Sequence, residues 1–267
     1  MSGDPVILSA IDPRGVATVT LNRPAVHNAY NGELIDALGR ALEALAAEPH
    51  LRVLVLKANG RNFSAGADLG WLRRAADFTP DENLDFSLRT TRAVKALAEF
   101  PVPTLAAVHG ACFGGGVGLV AACDIALASA EASFALTEVR VGVLPAPIAP
   151  ALDAAIGTRQ VRRYALSAER FDAEEARRIG LVHEVVPQGS LEARTEAIVA
   201  SLLLGGPRAL VETKALIFSV AALALDDGQV ASLAEWAARI RASDEAREGL
   251  GAFLAKRAPA WASGGAP

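Results

Sequence analysis

The chain has 267 residues, 52% hydrophobic and 21% charged, a composition that supports one large core and excludes an intrinsically disordered chain. Its 26 basic and 30 acidic residues give a net charge of −4, without the clustered basic face of a nucleic-acid binder. Only two cysteines, no apolar run long enough for a bilayer and no signal-peptide pattern at the N-terminus predict a cytoplasmic protein with no disulfide framework and no membrane contact.

Val6 to Ile11 and Val16 to Leu21 flank the turn Asp12-Pro13-Arg14-Gly15 and predict a hairpin. Asn31 is placed to cap a helix whose Leu34, Ile35, Leu38, Leu42 and Leu45 recur at helical spacing. Val53 to Leu56 is a fully apolar strand, followed by a polar loop from Asn59 to Asp68. Thr79-Pro80-Asp81-Glu82 is a capping box with proline at the first helical position, and its helix runs towards Glu99. A strand from Thr104 to Val108 enters the glycine-rich stretch His109 to Gly118; Leu119 to Cys123 reads as helix and Asp124 to Ala128 as strand. The alternation of strand, loop and helix predicts an α/β architecture. Beyond Pro150 the texture changes. Asp172-Ala173-Glu174-Glu175 caps a helix ending at Gly180, and Ser190 to Leu254 is helical except at Gly205-Gly206-Pro207 and near Gly228. Residues 1–190 are therefore expected to form the core with the site. Residues 191–267 are expected to form a helical region against that core or another subunit, with 263–267 frayed.

Two loops share one design. Each follows an apolar strand and presents small residues, Ala65-Gly66-Ala67 in one and Gly114-Gly115-Gly116 in the other. Small residues let backbone N–H groups approach a ligand closely, and two such groups converging on one point would stabilise an oxyanion. The competing reading is a tight turn that packs helix on sheet. Dinucleotide binding is disfavoured because the third glycine of GxGxxG would fall on Leu119, and a P-loop is disfavoured because no Gly-Lys-Ser/Thr follows.

Glu138, in the mostly apolar run Phe134 to Val143, is the acid/base candidate, since desolvation would raise its carboxyl towards working pH; an ion pair with an arginine is the alternative. His27, His50, His109 and His183 have no ligand spacing, so no metal is expected. Cys112 reads as a small buried thiol, and Arg73-Arg74 and Arg162-Arg163 as solvated helix faces.

Taken together, several segments resemble the crotonase, or enoyl-CoA hydratase/isomerase, superfamily over about residues 5 to 257. They are Thr20-Leu21-Asn22-Arg23-Pro24 with Asn28-Ala29, Phe63-Ser64-Ala65-Gly66-Ala67-Asp68-Leu69, Gly110 to Asp124, Glu138 with Gly142 and Pro145, Ala173 to Val186, and Arg247-Glu248-Gly249 with Phe253 and Lys256-Arg257. The resemblance implies a spiral of ββα units followed by helices that build a homotrimer, often paired into a hexamer. It implies an acyl-CoA thioester as ligand and no cofactor beyond the coenzyme A of the substrate. Ala67 and Gly115 match the oxyanion-hole positions, with Gly114 beside them, and Glu138 matches an acid/base. Val26, Ala65, Asp68 and Leu69 match positions along the CoA path. Phe253 and Lys256 match C-terminal positions that reach CoA phosphates, often across a subunit boundary.

The hydratases of this family typically carry a further glutamate where this chain has Gly118. The resemblance then implies either hydration through Glu138 alone, isomerisation of a 3-enoyl to a 2-enoyl thioester, or a catalytically silent acyl-CoA-binding member. Leu144-Pro145-Ala146-Pro147-Ile148-Ala149-Pro150 is similar to the branch acting on methylglutaconyl-CoA and related branched, carboxylated substrates, as in leucine breakdown. On that reading Gly118 opens room for a branched acyl group.

Overall fold

The computed structural model describes residues 4–75, 77–220 and 227–262. The chain begins with the expected hairpin, β1 (Ile7–Ile11) and β2 (Val16–Leu21), paired antiparallel from Ile7 opposite Leu21 to Ile11 opposite Ala17. Helix α1 (Gly32–Ala46) starts where Asn31 accepts the Leu34 N–H at 2.9 Å, and it buries all five predicted apolar positions. After β3 (Val53–Ala58) come a short α2 (Leu69–Ala75) and α3 (Pro80–Ala98). The capping box of α3 is reciprocal: Glu82 N–H donates to Thr79 Oγ1 at 3.3 Å and Thr79 N–H to Glu82 Oε2 at 2.8 Å.

Next come β4 (Thr104–Val108), β5 (Ala111–Phe113), α4 (Gly115–Ala121), β6 (Ile125–Ser129), β7 (Ser133–Ala135) and α5 (Ala149–Ser167). They are followed by β8 (Phe171–Asp172), α6 (Ala173–Arg178) and β9 (Glu184–Val186). Among the described residues α7 (Leu191–Leu203), α8 (Pro207–Val220), α9 (Asp227–Arg241) and α10 (Asp244–Leu254) follow. The expected fraying of 263–267 lies outside the described residues.

Two sheets organise the core. The larger has the order β1-β2-β3-β4-β6-β9 and is parallel from β2 onward. The smaller is β5-β7-β8. β4 and β6 lie in the large sheet, β5 and β7 in the small one, and α4 and α5 follow; strand, strand and helix thus repeat as one ββα turn. Alternate residues of β3 and β4 serve two buried layers. Leu54, Leu56, Ala106 and Val108 face the main core, whereas Val53, Val55, Leu105 and Ala107 face a second cluster closed by α7 through Val199. Burial on both faces is why these strands read as unbroken apolar runs.

The structure refines the chain reading at two places. The glycine stretch contains the strand β5, and α4 begins at Gly115 rather than at Leu119. The segment after Pro150 is part of α5, a helix of low amphipathicity bent at Gly157, where φ is 72°. Gly228, near which a break is expected, belongs to α9 one residue after its start at Asp227, and residues 221–226 lie outside the described residues.

Candidate active site

The first loop is held between two neighbours. On one side Ser64 N–H donates to Ala111 O at 3.0 Å and Phe113 N–H to Ser64 O at 2.8 Å, which fixes the loop beside β5. On the other side Tyr30 N–H donates to Gly66 O at 2.8 Å and Asp68 N–H to Tyr30 O at 2.9 Å. In a parallel pairing of this kind Tyr30 bonds the residues before and after Ala67 and leaves Ala67 itself unpaired. The Ala67 N–H has no hydrogen-bond partner among the described residues.

The second loop turns through Gly114, whose φ of 52° and ψ of −126° favour glycine, with its N–H on Ala135 O at 2.8 Å. Helix α4 starts immediately after it, so the Gly115 N–H is one of the orphan donors of a helix start and has no partner among the described residues. The two loops touch: a Cβ on Gly66 would lie 3.3 Å from Phe113 O and 3.8 Å from Gly114 N. Close packing requires the other glycines. A Cβ on Gly115 would meet Tyr30 Cε1 at 2.6 Å, and one on Gly116 would meet Ser64 Cβ at 2.7 Å.

Glu138 opens a 3-10 turn, Glu138–Val141, just after β7. Its Oε1 lies 3.1 Å from where a Gly114 Cβ would be, so the carboxyl borders the second loop. Its Oε2 is buried and has no hydrogen-bond partner among the described residues. Burial raises the carboxyl above its ordinary value, against smaller lowering effects from its own N–H and that of Thr137. No arginine pairs with it among the described residues, which removes the ion-pair alternative. The site thus joins two free amides to one desolvated carboxyl, a combination suited to holding an oxyanion while a proton moves nearby.

Tyr30 completes this corner. Sequence reasoning did not single it out, because it stands in a loop with no acid/base pattern around it; its one signal is its place directly after Asn28-Ala29. Its ring packs on Gly115, and its hydroxyl is pushed up to about 12 by burial and then by the charge of Glu138. That hydroxyl makes no hydrogen bond among the described residues, and unlike Glu138 Oε2 it is not closed off from solvent.

The remaining predicted residues divide. Ala65 N–H is tied to His27 O at 2.9 Å, and Val26 lies exposed in the preceding 3-10 turn, both beside the first loop. Asp68 is loop framework: its carboxylate accepts the Trp71 N–H at 2.9 Å and pairs with Arg23 at 3.0 Å, and these interactions hold it below its ordinary value despite burial. Leu69 starts α2, and its side chain lies outside the described residues. Pro145 caps α5, its carbonyl accepting the N–H groups of Ile148 and Ala149 at 3.1 and 3.0 Å. Gly118 opens no room. A Cβ there would collide with Ile148 Cγ2 and Cβ, so the space expected for a branched acyl group is filled by Ile148. Phe253 and Lys256 lie exposed at the end of α10, and no hydrogen bond or ion pair joins them to the two loops or Glu138 among the described residues.

Cys112 is buried in β5, where desolvation raises its thiol, and Cys123 is pushed up to about 12 by the same cause. Arg73, Arg74, Arg162 and Arg163 are exposed, as expected of solvated faces. Among the described residues no helix is long and apolar enough to cross a membrane.

Comparison with known proteins follows the same lines. A sequence model of the enoyl-CoA hydratase/isomerase family matches residues 12–264. A solved enoyl-CoA hydratase from Shewanella pealeana ATCC 700345 is 39% identical with a TM-score of 0.92, covering 96% of this chain and 96% of that one. The 2,3-dehydroadipyl-CoA hydratase of Escherichia coli K12 is 32% identical over 91% of this chain and 94% of its own. The peroxisomal Delta(3,5)-Delta(2,4)-dienoyl-CoA isomerase of Arabidopsis thaliana is 29% identical over 91% of each. The fold is that of the crotonases, and both hydratases and isomerases stand among its relatives.

Proposed function

Because the chain belongs to the enoyl-CoA hydratase/isomerase family, we propose that it adds water reversibly across the 2,3 double bond of an enoyl-CoA thioester. One observation carries this reading: the unpartnered N–H groups of Ala67 and Gly115, on abutting loops, stand beside a buried carboxyl whose Oε2 also lacks a partner.

In the proposed reaction both amides donate to the thioester oxygen. Water held by the Glu138 carboxylate loses a proton to it as its oxygen bonds C3. The electrons of the C2–C3 double bond move towards the thioester oxygen, where the two amides stabilise the developing enolate. Glu138 then returns the proton to C2 and is a carboxylate again. Water is added, nothing is oxidised, and no cofactor beyond the coenzyme A of the substrate takes part. The raised carboxyl suits this cycle, since burial makes the carboxylate a stronger base than an ordinary glutamate.

A second reading has its own support. With Ile148 filling the space at Gly118 and the Asp68 carboxylate engaged by Arg23 and the Trp71 N–H, Glu138 is the unpaired carboxyl at the loops among the described residues, and a single shuttling acid suffices to move a proton between C2 and C4 of a 3-enoyl thioester. The test is a panel of enoyl-CoAs that includes 3-methylglutaconyl-CoA, because 144–150 resembles that branch. Loss of 2-enoyl absorbance marks hydration, and its appearance from a 3-enoyl thioester marks isomerisation. Glu138→Gln is expected to lose about 100-fold or more in kcat; a variant with full turnover removes the mechanism.

A further inference from the structure

Two hydrogen-bonding groups at this corner lack partners, and only one of them has a role so far. Glu138 Oε2 is buried without a partner, and the hydroxyl of Tyr30 makes no hydrogen bond among the described residues. They flank consecutive glycines. Glu138 Oε1 lies 3.1 Å from the Cβ position of Gly114, and Tyr30 Cζ lies 3.0 Å from that of Gly115. A buried polar group in a folded protein almost always finds a partner, so Glu138 Oε2 calls for a third body, and the Tyr30 hydroxyl, which the charge of Glu138 reaches, is free to bond the same one. The tyrosine ring packs on Gly115, and both residues line a cavity of about 10 Å³ together with Leu34, Val94 and Ile148.

We propose that the Tyr30 hydroxyl is the second polar group of the hydration site, holding the attacking water against Glu138. This rests on the hydration reading above. The chain needs such a group because α4 cannot supply one: at Gly118, where the resemblance places another glutamate, Ile148 fills the space any side chain would enter. Tyr30, from the segment before α1, packs on the adjacent Gly115 instead. Its hydroxyl stays neutral at working pH, so it both accepts a hydrogen bond from water and donates one. It aims the water's lone pair at C3 while Glu138 removes the proton; no atom of the tyrosine is transferred. Isomerisation needs no attacking water and therefore no Tyr30 hydroxyl.

Tyr30→Phe tests this, since the ring and its packing on Gly115 are kept. Hydration kcat is expected to fall by roughly tenfold or more. The melting temperature, the affinity for a saturated acyl-CoA and the exchange of that ligand's C2 proton with deuterated water are expected to stay near wild type. Exchange uses only Glu138 and the two amides, so it separates water placement from general damage. Wild-type hydration by Tyr30→Phe overturns the proposal, and so does a parallel loss of hydration, binding and exchange. Glu138→Gln in the same assays tests the underlying reading separately: if it hydrates normally, the general acid/base assignment fails whatever Tyr30 does.

Discussion

Glu138 is held where its chemistry is useful and its charge is unwelcome. Burial raises its carboxyl above the ordinary 4.5. The folded state therefore binds this proton more tightly than the unfolded state, and stability falls as pH rises from the unfolded value through the folded one. Glu138→Gln removes that cost. Its melting temperature is expected to exceed wild type at pH 8 and to match it at pH 4, in thermal scans of both proteins; a variant less stable at pH 8 contradicts the assigned burial effect. The hydration limb should fall as pH drops through the raised value, because the reaction begins with a carboxylate. Gly118 illustrates a second conflict at this scale. Its small size reads as room in the sequence, but Ile148, thirty residues on, has already used the room. Gly118→Ala should destabilise by about 1–3 kcal/mol through overpacking. Shortening Ile148 to alanine should recover part of that loss, so the pair should be non-additive in a double-mutant cycle of denaturation midpoints. Simple addition of the two costs would show that the residues do not meet.

Among the elements, α8 is attached by polar ties more than by apolar burial. None of its residues is buried, yet Lys214 reaches inward to Asp124 at 2.7 Å with its side chain only 9% exposed. Asp124 also accepts from the Thr104 N–H and hydroxyl at 2.8 and 3.0 Å, which ties α8 to the start of β4. The N-terminus of α8 is capped from another helix: Glu245 of α10 accepts the N–H groups of Arg208 and Ala209 at 2.8 and 2.7 Å. Lys214→Met should cost about 2–3 kcal/mol, the scale of a hydrogen bond to a charged group. Amides of α8 should exchange faster than those of β3 and β4, read by hydrogen exchange; uniform acceleration would mean the tie is not local. The same contrast explains what the sequence reveals at this scale. The hairpin, α1 and α3 are legible because their caps and apolar spacing are local signals at Asn31 and Thr79. β5 and α5 are not. β5 is three residues whose partner is β7, and α5 mixes proline, arginine and alanine around a bend at Gly157, so tertiary pairing rather than pattern decides both.

For the whole molecule, the ββα winding is what turns separate sequence segments into one site. β3 and β4 run side by side, so the loops that follow them arrive together, and β7 delivers Glu138 beside them. The proposed oxyanion positions, Ala67 and Gly115, are legible from small residues after apolar strands. The roles of Asp68, Gly118 and Tyr30 are not, since each is set by a neighbour distant in sequence, respectively Arg23, Ile148 and Gly115. The helical C-terminal region poses the remaining question. Leu250, Phe253 and Leu254 of α10 are more than half exposed, as are Ile217 and Phe218 of α8. Exposed apolar side chains of this kind on a folded chain mark surfaces that bind another protein, and from the family resemblance we expect that protein to be a second copy. The expected state in sedimentation is a trimer or a pair of trimers. Leu254→Asp, which lies outside the catalytic corner, should shift it towards monomer. If Lys256 reaches the CoA phosphates of a neighbouring subunit, dissociation should raise KM for an enoyl-CoA by roughly tenfold through loss of charge-assisted bonds. KM for the matching enoyl-pantetheine thioester, which has no nucleotide phosphates, should not change. A dissociated variant with equal KM shifts for both thioesters would place Lys256 outside the CoA site, and a wild-type chain that sediments as a monomer would remove the assembly itself.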